Sequence, residues 1–163
     1  MAIVKSVGKA YALFIYKEVI MKQDDIMILK EIQKSTHIAM TTIDTILDKV
    51  SDDEFTLKLS KQSIGYARIH NDAVEQLVEE QSSPYRSNQA ADMALRGSIH
   101  LGTMLNTSTS HLAEMMIQGS NRGLTSMYKT VKHNTLARER SVELARELMD
   151  FEEKSIEQMK DYL

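Results

Sequence analysis

The sequence predicts an all-α protein whose body is an antiparallel four-helix bundle. Three observations carry that expectation. One proline and six glycines occur in 163 residues, too few for the many turns of a β-rich fold. Apolar side chains return every three or four positions along four separate stretches, the period of a helix with one buried face. Those stretches have similar lengths, about 25–29 residues or roughly 40 Å each at 1.5 Å per residue. Matched lengths joined by short turns are what side-by-side packing requires.

The first bundle helix is expected over residues 24–50, with Leu29, Ile32, Thr36, Ala39, Ile43, Ile46 and Val50 on one face. Asp24 and Asp25 stand at its start, where negative charge suits the helix dipole. Its stripe then loses phase, because continuing it would bury Asp53 or Glu54. Ser51-Asp52-Asp53-Glu54 reads instead as a capping box that starts the second helix at Ser51. The second stripe is Phe55, Leu59, Gln62, Tyr66, Ile69, Ala73 and Gln76 or Leu77.

Gln81-Ser82-Ser83-Pro84 breaks the pattern, since proline can end one helix or begin another. Residues 84–108 are surplus to a four-helix count. They read as a long, partly helical crossover between the second and third bundle helices, packed along or across them. Asn106 to Ser110 is a second breaker, rich in side chains that compete for backbone hydrogen bonds. The third bundle helix carries Ala113, Ile117, Ser120, Leu124, Met127 and Val131 on one face. His133-Asn134-Thr135 ends it. The last helix carries Leu144, Leu148, Phe151, Ile156, Met159 and Leu163, and Arg138 and Arg140 near its start oppose the dipole at a small cost.

Composition narrows the function classes. A net charge of −3 is too small and of the wrong sign for a nucleic-acid binder. With no cysteine, disulfides, thiol nucleophiles and thiolate metal sites are excluded, which fits a cytoplasmic location. The longest apolar run, Ala10 to Tyr16, is far short of the roughly 20 residues a membrane span needs. It reads as an apolar helix turn or a strand.

Lys17-Glu18-Val19-Ile20-Met21-Lys22 can be encoded by AAG GAG GTN ATN ATG AAR, a purine-rich ribosome-binding sequence just ahead of a start codon. Residues 1–20 are therefore expected to be an extension upstream of a natural start at Met21, with 21–163 as the single domain.

Bundle cores commonly hold two-metal carboxylate sites built on Glu-x-x-His, whose spacing puts both ligands on one face. That order is absent here: Glu54, Glu75, Glu114 and Glu143 lead to Leu57, Val78, Ile117 and Arg146. The reverse order occurs once, in His111-Leu112-Ala113-Glu114. An acid in a first helical turn is expected for dipole reasons alone.

The segment Ile117 to Gly123 places Gly119 and Gly123 inside a helix, at about 1 kcal/mol each relative to alanine. Close helix–helix approach near Thr36 and Ala39 is the simplest offset. The alternative is a pocket lined by Gln62, Tyr66, Ser120 and Asn121. Gln62 lies on an apolar stripe and needs a partner if buried.

The segments from His111 to Gly123 and from Ala145 to Leu163 resemble small bacterial ferritin-like proteins of unknown function. The resemblance implies a ferritin-like four-helix bundle with its long crossover between the second and third helices. Such families often bind paired iron through Glu and His, and this chain lacks their Glu-x-x-His.

Two functions follow as expectations. The first is a structural or protein-interaction module without catalysis, self-associating as a homo-oligomer, with no cofactor, nucleic acid or membrane involved. The alternative is an iron-binding protein or oxidoreductase with a non-standard site drawn from His111, Glu114, Glu143 and Glu147. For the start site, mass spectrometry of the native protein should find Met21 as the N-terminus, and any peptide mapping upstream of it would refute the idea.

Overall fold

Helix boundaries follow local chemistry closely. The computed structural model describes residues 2–163, with side chains from Leu13 onward, so most of the segment 1–20 lies outside the described side chains. Among the described residues there are five helices: α1 (Ala2–Leu47), α2 (Asp53–Glu79), α3 (Gln89–Thr103), α4 (Thr109–His133) and α5 (Glu139–Lys160). No strand occurs among the described residues, and no helix in them is long and apolar enough to cross a membrane.

The first helix starts far earlier than its apolar stripe. It runs unbroken from Ala2, and the apolar run through Tyr16 is helical rather than extended. Leu13, Phe14, Tyr16 and Val19 face solvent, and burial begins at Asp25 and Ile28. Periodicity reports where a helix is packed, and nothing between Lys17 and Asp24 breaks a helix.

The α2 cap is Asp52, not Ser51. Its carboxylate accepts from the Phe55 amide at 2.7 Å. A charged acceptor gains more from the helix dipole than a hydroxyl does. At the other end Gln81 takes φ 55°, and the Ser82 amide returns to the Leu77 carbonyl at 2.9 Å, a left-handed helix stop. Ser108 caps α4 through the His111 amide, so the crossover helix and α4 stay separate.

Side-chain pairs give the helix directions. Thr36 meets His70, so α1 and α2 run antiparallel. Glu31 meets Ser126 and Asp24 meets the Leu136 amide, so α4 runs against α1. Arg68 pairs with Glu147 and Arg140 with Glu79, so α5 runs against α2. The C-terminal ends of α2 and α4 therefore lie together beside Asp25, and α4 begins at the far end. Residues 80–108 must travel the length of the bundle. Along that path α3 packs on α1, tied by His37–Asp92 at 3.0 Å and Arg96–Asp44 at 2.9 Å.

The shared core takes Ile28, Leu29, Ile32, Ile43 and Ile46 from α1 and Phe55, Leu59, Tyr66, Ile69 and Leu77 from α2. Leu112, Leu124 and Met127 of α4 and Leu144, Leu148 and Met159 of α5 complete it. From α3 only Ile99 and Thr103 are buried, while Met93 and Leu101 face solvent. All seven buried residues of α2 fall on the stripe read from its spacing. Leu163, expected inside, is exposed, because α5 ends at Lys160 and the chain turns away.

The α5 N-terminus has no side-chain cap of its own. Asp25, 1% exposed, supplies one from α1: it accepts from the Arg138 amide at 2.8 Å, from Arg138 Nε and from the Ser141 hydroxyl. The arginine that opposes its own helix dipole is thereby paired with a buried carboxylate. Asp25→Ala should cost roughly 2–3 kcal/mol, since it strips three donors of a charged acceptor. Urea denaturation checks this, and a loss below about 0.5 kcal/mol, the scale of an exposed pair, would refute the trans-cap role.

Candidate functional site

A polar layer crosses the middle of the bundle. Tyr66 on α2 is fully buried, and its hydroxyl donates to Glu152 Oε2 on α5 at 2.7 Å. Glu152 is 3% exposed, an unusual position for an acid. Ser120 of α4 and Ser155 of α5, both buried, stand close enough to influence the pair. Burial raises the Glu152 carboxyl above its ordinary value, opposed by Ser120 and Tyr66. Burial, reinforced by the adjacent carboxylate, raises the Tyr66 phenol well above its own. Tyr66 therefore stays a hydroxyl donor at neutral pH.

Phe151, next in the chain to Glu152, packs edge-on against the Tyr66 ring with centroids 4.9 Å apart. It lies over Gly65, where any Cβ would collide with the phenyl ring. Gly65 thus lets α2 and α5 approach closely enough for the tyrosine–carboxylate bond to form.

Above this pair lies a chamber of about 520 Å³ between α1, α3 and α4, with Tyr66, Ser120 and Glu152 at its base. Ser35, Ala39 and Thr42 of α1 face Gly119, Gly123 and Ser126 of α4 across it. Leu95 and Ile99 of α3 close one side, and Met115 and Met116 add apolar wall. Glu31, Lys34 and Arg122 bring charge to the lining. Glu31 is engaged on both oxygens, by Ser126 at 2.5 Å and by Lys34 at 3.5 Å.

The two α4 glycines do not serve the close helix approach expected of them. A Cβ at Gly119 would meet nothing within 4 Å. A Cβ at Gly123 would meet only the Glu152 carboxylate, its Oε1 at 3.2 Å. Gly119 borders open space and Gly123 makes room for the Glu152 carboxylate, so neither forms a seam between α1 and α4.

Of the expected pocket residues, Tyr66 and Ser120 share the chamber. Gln62, one turn earlier on α2, is buried outside its lining, and both polar atoms of its amide lack a protein partner. Asn121 lies on the exposed side of α4 and bonds its own helix at the Ile117 carbonyl, 2.9 Å away. The expected metal residues are not gathered into one set. His111 Nε2 bonds the Gly102 carbonyl at 3.0 Å, Glu114 accepts from Gln118, Glu143 is exposed, and Glu147 pairs with Arg68. Among the described residues no group of three His, Asp or Glu side chains is arranged to hold a metal ion, so this donor set does not fit iron.

Glu152 and Ser155 escaped the sequence reading, which followed the apolar residues of α5. A signal existed. Ser141, Ala145, Leu148, Glu152, Ser155 and Met159 keep strict spacings of three and four, and all six are buried. Glu152 and Ser155 on that register mark the layer, as Gln62 and Tyr66 do on α2.

Replacing the unpartnered amide by an isosteric apolar group removes its desolvation penalty, so Gln62→Leu should stabilise the fold by about 1 kcal/mol. A lower urea midpoint in that variant would show instead that the amide has a partner, such as a buried water.

Glu152 gives a pH signature. Its folded pKa lies above the unfolded one, so the folded state holds the proton more tightly. The stabilisation is complete below the unfolded pKa and is lost as pH rises towards the folded value. Glu152→Gln lacks this titration. Its melting temperature should gain on wild type through that window and then hold a constant lead; parallel curves would mean the carboxyl is not perturbed.

Compared with protein-family models, curated proteins and solved structures, the chain matches none.

Proposed function

We propose that this protein is a ferritin-like bundle acting as a non-catalytic binding module, and that it holds a small molecule in the chamber between α1, α3 and α4. The order of helix directions, with one long crossover joining two antiparallel pairs, supports the ferritin-like reading. Iron has no suitable donor set among the described residues.

The observation that carries the binding reading is the buried Tyr66–Glu152 pair in the lining of a chamber, with Gly119 at its rim. A glycine there costs the helix about 1 kcal/mol relative to alanine, and no neighbouring atom stands where its Cβ would be. Packing does not require that glycine, and its position on the exposed side of α4 leaves the mouth of the chamber open. The volume of about 520 Å³ falls in the range of small-molecule sites, and a mostly apolar lining with a few converging polar groups is their usual chemistry.

Gly119→Leu adds an apolar side chain at the rim of the chamber, where its Cβ meets no neighbour within 4 Å. It should raise intrinsic stability by roughly 0.5–1 kcal/mol and abolish the rise in melting temperature that chamber ligands confer on wild type. A screen of small aromatic and aliphatic compounds measures both. Ligands that stabilise the two proteins equally would place binding elsewhere and overturn the reading.

A further inference from the structure

Resting on the small-molecule reading above, we infer that the chamber selects a ligand with an apolar body and a cationic amine, its ammonium directed at Glu152. The two ends of the lining differ. Ile38, Ala39, Leu95, Ile99, Met115 and Met116 form an apolar flank suited to a hydrocarbon or aromatic body. The base is a carboxylate only 3% exposed, with Tyr66 bonded to Oε2 and the Ser120 hydroxyl also acting on the carboxyl.

The other oxygen, Oε1, lies beside Gly123, where even a methyl group would press on it at 3.2 Å. Absence of a side chain at that position keeps this oxygen reachable from the chamber. An apolar ligand end placed there would desolvate a carboxylate without compensation. An anionic end would face a like charge at short range. An ammonium supplies both donors and the opposite charge, and charge-assisted bonds are roughly twice as strong as neutral ones.

Competing charges do not reverse this preference. Glu31 is already satisfied by Ser126 and Lys34. Lys34 pairs with Glu31 at 3.5 Å and is exposed, and Arg122 is exposed on α4. Both cations therefore act through solvent, where they are screened, while the Glu152 carboxylate acts in a buried site.

Three probes with one aromatic body and different heads test the inference: 2-phenylethylamine, 2-phenylethanol and phenylacetate. Calorimetry and thermal shift are run on wild type, Glu152→Gln and Gly119→Leu. The amine should bind wild type about tenfold more tightly than the alcohol, with phenylacetate weakest. Glu152→Gln should bring amine and alcohol to similar affinity while the alcohol is held as before. Gly119→Leu should lose all of them. Equal binding of amine and alcohol to wild type, blocked by Gly119→Leu, would overturn the amine preference and leave the chamber reading standing. Tightest binding of phenylacetate would assign selectivity to the rim cations and overturn it too. No binding by any probe would overturn both.

Discussion

The constraint on which the rest of this structure depends is a matter of ends. Helices α2 and α4 both finish beside Asp25, where α1 becomes buried and α5 begins. The chain leaving α2 must therefore travel the length of the bundle before α4 can start. Residues 80–108 make that journey, and α3 forms along it because a bare backbone lying on α1 would leave its polar groups unpaired. The crossover packs on α1, and its Leu95 and Ile99 close one side of the chamber.

Two buried acids carry most of the polar chemistry, in contrasting ways. Asp25 is matched by donors on both oxygens and holds α1 to the start of α5 at one end of the bundle. Glu152 is bonded by Tyr66 at 2.7 Å, is acted on by the Ser120 hydroxyl, and has an oxygen beside a glycine. Burial raises its carboxyl because solvation is lost faster than partners are gained. A fully matched carboxylate acts as a fastener. A partly matched one bordering a cavity is a place for something else to bind.

Much of the fold was legible in the residues. The α2 stripe from Phe55 to Leu77 was complete, and the break at Ser82-Ser83-Pro84 marked the start of the crossover. Local chemistry suffices there, because a helix face and a helix stop are short-range properties. The α1 start was not legible, since an exposed helix needs no apolar stripe. Ser51 was preferred to Asp52 as the α2 cap because the two motifs overlap within one residue. At the site, Tyr66 and Ser120 were foreseen together, and Glu152 was hidden in Phe151-Glu152-Glu153-Lys154, whose composition reads as solvated surface.

By itself the sequence determined the helical class, the burial face of α2 and the placement of the long connection, all of which follow from side-chain periodicity and backbone-breaking residues. Only the tertiary structure decided that Gly119 and Gly123 border a cavity, that Asp25 caps α5 from another helix, and that Glu152 faces Tyr66. Those three outcomes depend on which helices are neighbours and at what separation. That information belongs to the packed chain as a whole and to no local stretch of it.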